Sequence, residues 1–279
     1  MSINRPEPAQ EPKPNPGRIE PIASWPGWVW RTVVGPFELQ LHIISLGSPE
    51  PGAPEGGIAS FVVMEQEQPF LDYVAGLVAD AIADYARACP GIILVTVESK
   101  GSHFVPWVWR QLAERQATRL CGRIITLRKS AKAYMKTPGM PDSVASLDNH
   151  PVVLHPIAYE SITSPEEQRL VISPKDAGLL YDEVRRGTEP ILVDDFLGAG
   201  GTAVGVYRLF ESLNHQIDYA GGGGLRPPRV VAVIGSDSGL YTQSFAREGI
   251  DYVVLPRQLP LRLPTFTRET ADHPWKIAG

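Results

Sequence analysis

The chain has 279 residues, 43% of them hydrophobic, and a formal net charge of −5. That length buries one large core, or one domain with appendages. The composition is that of a soluble globular protein, and the negative balance gives no support to nucleic-acid or anionic-membrane binding. Two cysteines, Cys89 and Cys121, make neither a disulfide framework nor a metal-ligand spacing and read as apolar side chains. The six histidines show no metal-ligand spacing either. No apolar run reaches membrane-spanning length and the polar N-terminus is no signal peptide, so the expected compartment is the cytoplasm.

Residues 1–22 carry Pro6, Pro8, Pro12, Pro14 and Pro16 among polar residues and read as a solvated or disordered tail. Trp25 to Trp30 follows, a packed strand or a base-stacking lid. Phe37 to Ile43 alternates like a strand, and Ser48 to Gly57 is a Pro/Gly loop. From Gln68 to Cys89 apolar residues recur at Leu71, Val74, Ala75, Val78, Ala81, Ile82 and Tyr85, the spacing of an amphipathic helix. Pro90 and Gly91 stop it. Ile92 to Val97 is a β-branched run, hence a buried parallel strand. Phe104–Glu114 is the next helix and Arg123–Leu127 the next strand.

Residues 128–150 are basic, then Pro-, Gly- and polar-rich, and read as a loop too long for a plain connection. Val152–Ile157 and Arg169–Ile172 look like a hairpin pair. Gly221–Gly224 is a flexible linker, Val230–Ile234 a buried strand, Tyr241–Glu248 a helix and Tyr252–Leu255 a last short strand. Strands alternating with helices predict an α/β fold with a parallel sheet and helices on both faces.

The most informative stretch is Ile191 to Thr202. An apolar run ends in Asp194 and Asp195, and a small-residue turn, Gly198-Ala199-Gly200-Gly201, leads to Thr202 and a helix from Ala203. Ligands of open α/β sheets bind at such strand ends. Bare backbone N–H groups and the helix dipole make the turn an anion site, and glycine lets the backbone close around a phosphate. The acid pair suits sugar hydroxyls and, through water, Mg²⁺. The glycines are not followed by Lys-Ser/Thr, so this is no Walker-type site.

Pro190 to Thr202 resembles the signature of the type I phosphoribosyltransferases, which use 5-phosphoribosyl-1-pyrophosphate (PRPP): four mostly apolar residues, two acids, two apolar residues, then a small loop ending in Gly-x-Thr. Phe196 is a mild departure. Glu98-Ser99-Lys100-Gly101 is similar to the pyrophosphate loop of the adenine and xanthine enzymes. Arg128-Lys129-Ser130-Ala131-Lys132 is similar to the start of the mobile catalytic loop of the adenine enzymes, with Tyr134 and Lys136 extending it. Tyr159-Glu160-Ser161 supports the alignment without offering chemistry. The resemblance covers roughly Glu65 to Leu255.

The resemblance implies the type I phosphoribosyltransferase fold, a mostly parallel twisted sheet with helices on both faces and a small hood built from N- and C-terminal segments. The implied division is a tail at 1–22, a hood or extension at 23–57, a core at 58–258 and a C-terminal tail at 259–279. Gly198, Ala199, Gly200, Gly201 and Thr202 are expected to hold the 5′-phosphate, Asp194 and Asp195 the ribose diol. Glu98 would support the PRPP-binding loop in which Ser99, Lys100 and Gly101 receive pyrophosphate, with a cis peptide at Ser99–Lys100, and Arg128, Lys129 and Lys132 would close on it. Mg²⁺ would arrive with PRPP, with Asp194 and Asp195 as its protein contacts. Glu65, Gln66, Ser236 and Asp237 are the expected base-side residues. A homodimer is implied.

The expected reaction is Mg²⁺-dependent transfer of the phosphoribosyl group to a purine-like base of adenine or xanthine type, through an oxocarbenium-like transition state. There are departures. Gly235 and Ser236 stand where the xanthine enzymes have Glu-Lys, and no acid stands at Gly198, against the hypoxanthine-guanine pattern. Two other readings stay open: a non-catalytic PRPP-binding regulator, and transfer to a non-purine acceptor.

Overall fold

The computed structural model describes residues 17–22, 27–48, 50–61, 66–116, 119–135, 143–147, 149–161, 164–219, 225–235, 240–255, 263–270 and 273–278. The chain divides into two compact units, one from Met1–Ala59 with Pro260–Gly279 and one from Ser60–Leu259. The N-terminal segment forms β1 (Gly17–Pro21), β2 (Trp28–Val34), β3 (Phe37–Gly47) and β4 (Glu55–Ser60). The second unit begins with α1 (Gln68–Ala86), β5 (Gly91–Val97), α2 (Val105–Arg115) and β6 (Ile125–Leu127). It continues with β7 (Ser143–Leu147), β8 (His150–Leu154), β9 (Ile157–Ser161), β10 (Ser164–Leu170), α3 (Pro174–Arg185) and β11 (Thr188–Leu197). It ends with α4 (Gly201–Tyr219), β12 (Arg229–Gly235), α5 (Leu240–Glu248) and β13 (Tyr252–Val254). The C-terminal segment returns to the first unit as β14 (Thr265–Arg268) and β15 (Lys276–Ile277).

The first unit is one six-stranded sheet, order β1-β2-β3-β4-β14-β15. Trp30 is fully buried in it and meets Phe266 edge-on, ring centroids 6.3 Å apart. That burial makes Trp30 a packing residue and removes it from any lid; Trp25 lies outside the described residues. Gly17–Pro21, read from sequence as tail, pairs antiparallel with β2 from Gly17↔Thr32 to Pro21↔Trp28. The expected C-terminal tail likewise contains β14 and β15, because Thr265–Arg268 completes its backbone bonding against β4.

The second unit is built on a five-stranded parallel sheet, order β13-β12-β11-β5-β6. Every residue of β5 is buried, as a central parallel strand requires. Ile93, Val95, Val97, Leu192, Val230 and Ala232 share one cluster with residues of α3 and α4. The intervening Ile92, Leu94, Ile191, Val193 and Val231 are equally buried and point to the opposite face by the two-residue strand period.

Two short hairpins lie between β6 and α3. The expected hairpin of residues 152–157 with 169–172 forms only at its edge, at Ile157↔Leu170. β8 pairs with β7 (Ser143↔Leu154 to Leu147↔His150), and β9 pairs with β10. The expected 128–150 loop is thus shorter, since Ser143–Leu147 is strand; residues 136–142 lie outside the description, as do Gly221–Gly224. The sequence reading also passed over α3. Its start is fixed by Ser173, whose hydroxyl accepts the Asp176 N–H at 3.0 Å, with Pro174 in the first turn. Among the described residues, no helix is long and apolar enough to cross a membrane.

Candidate functional site

The strand order places a crevice. β5 leads to β6 on one side and β11 leads to β12 on the other, the switch point at which open parallel sheets bind ligands. β11 pairs with β5 only as far as Leu192↔Val95 but with β12 as far as Leu197↔Gly235. Asp194 and Asp195 therefore sit in β11 just past its last bond to β5. Asp195 is 8% exposed, and its backbone N–H donates to Asp194 Oδ1 at 3.0 Å. Burial pushes the Asp194 carboxyl well above the ordinary carboxylate range, and the Asp195 charge pushes it further. The Asp195 N–H and the Lys129 charge oppose this. A site that raises a carboxyl in this way rewards groups that relieve the charge, such as hydroxyl donors or a cation.

After Leu197 the chain turns through Gly198, Ala199 and Gly200 into α4. Gly200 has φ +79°, and Phe245 and Tyr241 of α5 press on the position a side chain would take. Gly201 is met by the Glu160 carbonyl of β9, so no Cβ can be placed there without moving backbone. The first amide with a helical partner is that of Val204, to Gly200 O at 3.0 Å. The N–H groups ahead of it, Gly201 to Ala203, are the unpaired donors of a helix start and carry its positive pole.

The β5 end converges on the same crevice. The Glu98 N–H donates to Leu127 O at 2.7 Å, tying the two strand ends together. Lys100–His103 is a short 3₁₀ turn, in which the Ser102 hydroxyl donates to Ser99 O at 2.7 Å. The expected cis bond at Ser99–Lys100 is absent, as there is no cis peptide among the described residues. Gly101 lies in this turn; the Lys100 side chain lies outside the description. Arg128 donates to Glu98 Oε1 at 3.1 Å, and Lys132 Nζ lies 3.8 Å from the same oxygen. The Arg128 backbone exchanges two 2.8 Å bonds with Val171, fixing where the basic segment leaves the fold.

The structure thus brings together Asp194, Asp195, Lys129, the Gly198–Thr202 turn and the Glu98–Arg128–Lys132 cluster. Of the base-side expectations, Gln66 is described, while Glu65, Ser236 and Asp237 lie outside the described residues. Sequence reasoning gave Tyr159 no chemistry. Its phenol is buried at 4% exposure and faces Thr202 and Asp194. A lone Tyr in a short strand carries no signal of this; only the packing of β9 on α4 reveals it. A cavity of about 450 Å³ opens on that flank, lined among others by Tyr159, Ala199, Gly201, Val204, Arg208 and Arg247. Among the described residues no group of three or more His, Cys, Asp or Glu is placed to hold a metal ion.

No family model matches the chain, and no curated protein matches it. Solved structures with a similar course include adenine phosphoribosyltransferase from Saccharomyces cerevisiae, at 15% identity over 77% of this chain and 93% of that one, TM-score 0.45. The adenine enzyme of Trypanosoma brucei has 16% identity over 76% and 75%, TM-score 0.43. That of Thermoanaerobacter pseudethanolicus has 16% identity over 72% and 84%, TM-score 0.39.

Proposed function

We propose that the chain is a phosphoribosyltransferase of the type I kind, moving the phosphoribosyl group from PRPP to a nucleobase with release of pyrophosphate. The observation that carries this is convergence. An acid pair, a helix-start anion turn and a cation cluster, the three groups an activated phosphorylated pentose needs, meet at the carboxyl ends of β5 and β11.

In this reading the N–H groups of Gly198 to Thr202 take the 5′-phosphate, whose charge the start of α4 favours. Asp194 and Asp195 accept from the ribose hydroxyls and lie close to the carbon that gains positive charge. Ser99, Lys100 and Gly101 receive pyrophosphate, and Arg128, Lys129 and Lys132 stabilise the charge it carries off. No covalent nucleophile is needed. Positioning supplies up to about 7–11 kcal/mol of the barrier and charge stabilisation the rest. Asp194 and Asp195 are adjacent carboxylates, hard oxygen donors that would hold Mg²⁺ together with oxygens not supplied by the chain, since no third His, Cys, Asp or Glu is grouped with them among the described residues. When bound it would neutralise pyrophosphate charge, with Asp194 and Asp195 as its protein contacts.

The acceptor is proposed to be purine-like. One observation favours a departure from the xanthine pattern. The Tyr241 phenol occupies the space of a side chain at Gly235, so position 235 itself presents no charged side chain to a base; Ser236 and Asp237 lie outside the described residues. A non-purine acceptor is the second reading on this ground. The test is pyrophosphate release from PRPP with Mg²⁺ across a panel of nucleobases, against a variant with Asp194→Asn and Asp195→Asn. Turnover with one base, lost in the double variant, supports the enzyme. PRPP binding without turnover on any base moves the reading to a regulator.

A further inference from the structure

The geometry points to Tyr159 as a phosphate ligand: its hydroxyl, supplied by the β9–β10 hairpin, donates to a phosphate monoester seated on the first turn of α4. The inference rests on the reading above, that this turn takes the 5′-phosphate of a ribose.

Three placements converge on it. The base of the Tyr159 side chain lies against Gly205, where any added Cβ would collide with the tyrosine's Cβ and Cγ. One residue on, the Glu160 carbonyl packs against Gly201, so β9 is seated directly on the helix start. The phenol is thereby aimed along α4 toward its first turn, where it faces the Thr202 hydroxyl and the Asp194 carboxyl.

The Tyr159 oxygen is nevertheless buried without a hydrogen-bond partner among the described residues. The Thr202 hydroxyl interacts with it, but at a separation longer than a hydrogen bond. A buried hydroxyl left unpaired forfeits its hydration, and native folds rarely keep one without a use. Here the hydroxyl stands at the start of a 19-residue helix, whose first N–H groups have no intrahelical partner. A tetrahedral anion there has oxygens for both sets of donors. A phenol keeps its proton at neutral pH, so the group is a donor.

The test uses the full chain and calorimetric titration with ribose 5-phosphate, and separately with Mg²⁺-pyrophosphate. Tyr159→Phe is expected to weaken ribose 5-phosphate about tenfold to a hundredfold, the range for a hydrogen bond to a charged group. Pyrophosphate affinity is expected to stay unchanged. The ligand-free melting midpoint should stay equal or rise, because the removed hydroxyl had no partner to lose. Equal ribose 5-phosphate affinity in both proteins overturns the assignment and leaves the phosphoribosyltransferase reading standing. A lower ligand-free midpoint, or failure to fold, overturns it too, by showing that the hydroxyl has a structural bond. Wild-type protein that takes up neither ribose 5-phosphate nor PRPP overturns both.

Discussion

The Arg128 guanidinium is held 3.1 Å from the Glu98 carboxylate, so the cation that follows β6 is paired with the residue that follows β5. Lys132 shares that carboxylate at 3.8 Å. An anion that recruits these cations has to compete with Glu98. Both partners are about one-third exposed, and the pair adds no more than about 1 kcal/mol to stability. Glu98→Gln is therefore expected to tighten pyrophosphate binding about two- to fivefold at low salt, with stability little changed. Titration calorimetry checks this. Weaker binding in the variant would mean that Glu98 orients the cations and does not compete for them.

Asp194 gives a pH prediction. Its folded carboxyl titrates above its unfolded value, owing to burial first and the Asp195 charge second. Between the two values the folded state holds more protons, so this group's stabilisation is complete below the unfolded value and is lost as pH rises through the folded one. Asp194→Asn removes that slope. The variant should equal or exceed wild type in stability at neutral pH while transfer falls about a hundredfold or more. Denaturant titrations across pH with a pyrophosphate assay measure both, and a variant less stable at pH 7 refutes the burial argument.

Glu183 should behave in the opposite way. It is 5% exposed and bonded to Thr188 (2.9 Å), Arg119 (2.8 Å) and Arg186 (2.9 Å). Burial works to raise its carboxyl, but Arg119, Thr188 and Arg186 outweigh it and hold it low. Its stabilisation is present above the unfolded carboxylate value and is lost as pH falls through the folded one. Glu183→Ala is expected to cost about 3 kcal/mol at neutral pH, since Thr188 and the Arg119 head lose a buried partner. The deficit should shrink in acid.

Gly200→Ala and Gly249→Ala make a matched pair. Both positions have positive φ, +79° and +69°. An alanine at 249 meets nothing within 4 Å, whereas one at 200 meets Phe245 at 2.7 Å and Tyr241 at 3.1 Å. Gly249→Ala should cost only the backbone strain, about 1 kcal/mol. Gly200→Ala should cost more and also weaken ribose 5-phosphate. Equal losses would show that α5 does not hold the turn.

Much of the core was legible because its signals are local. β5, β11 and β12 are short β-branched runs, and the α1 stripe falls on one helical face. The acid pair and the glycine turn are contiguous in sequence. What depends on pairing was not legible. β7 buries Ser143, Ala145 and Leu147, of which only one is a large apolar residue, so it gave no strand pattern and the hairpins were mispaired. α3 was missed although Ser173-Pro174 and Asp176 spell a helix start. The Glu98–Arg128 contact joins residues 30 apart, and the Tyr159 placement depends on β9 crossing α4; neither leaves a local trace.

The sheet of the first unit is finished by β14 and β15, strands that follow the whole of the parallel-sheet unit in the chain. Arg268 of β14 donates to Glu55 of β4 at 2.6 Å, from a position 213 residues later in the chain. During translation, then, β4 leaves the ribosome long before the strand that covers its outer edge, and an uncovered edge recruits other chains. Premature termination anywhere ahead of Thr265 leaves that edge open for good, so a nascent or clipped product would self-associate through β4 even where the parallel-sheet unit has folded correctly.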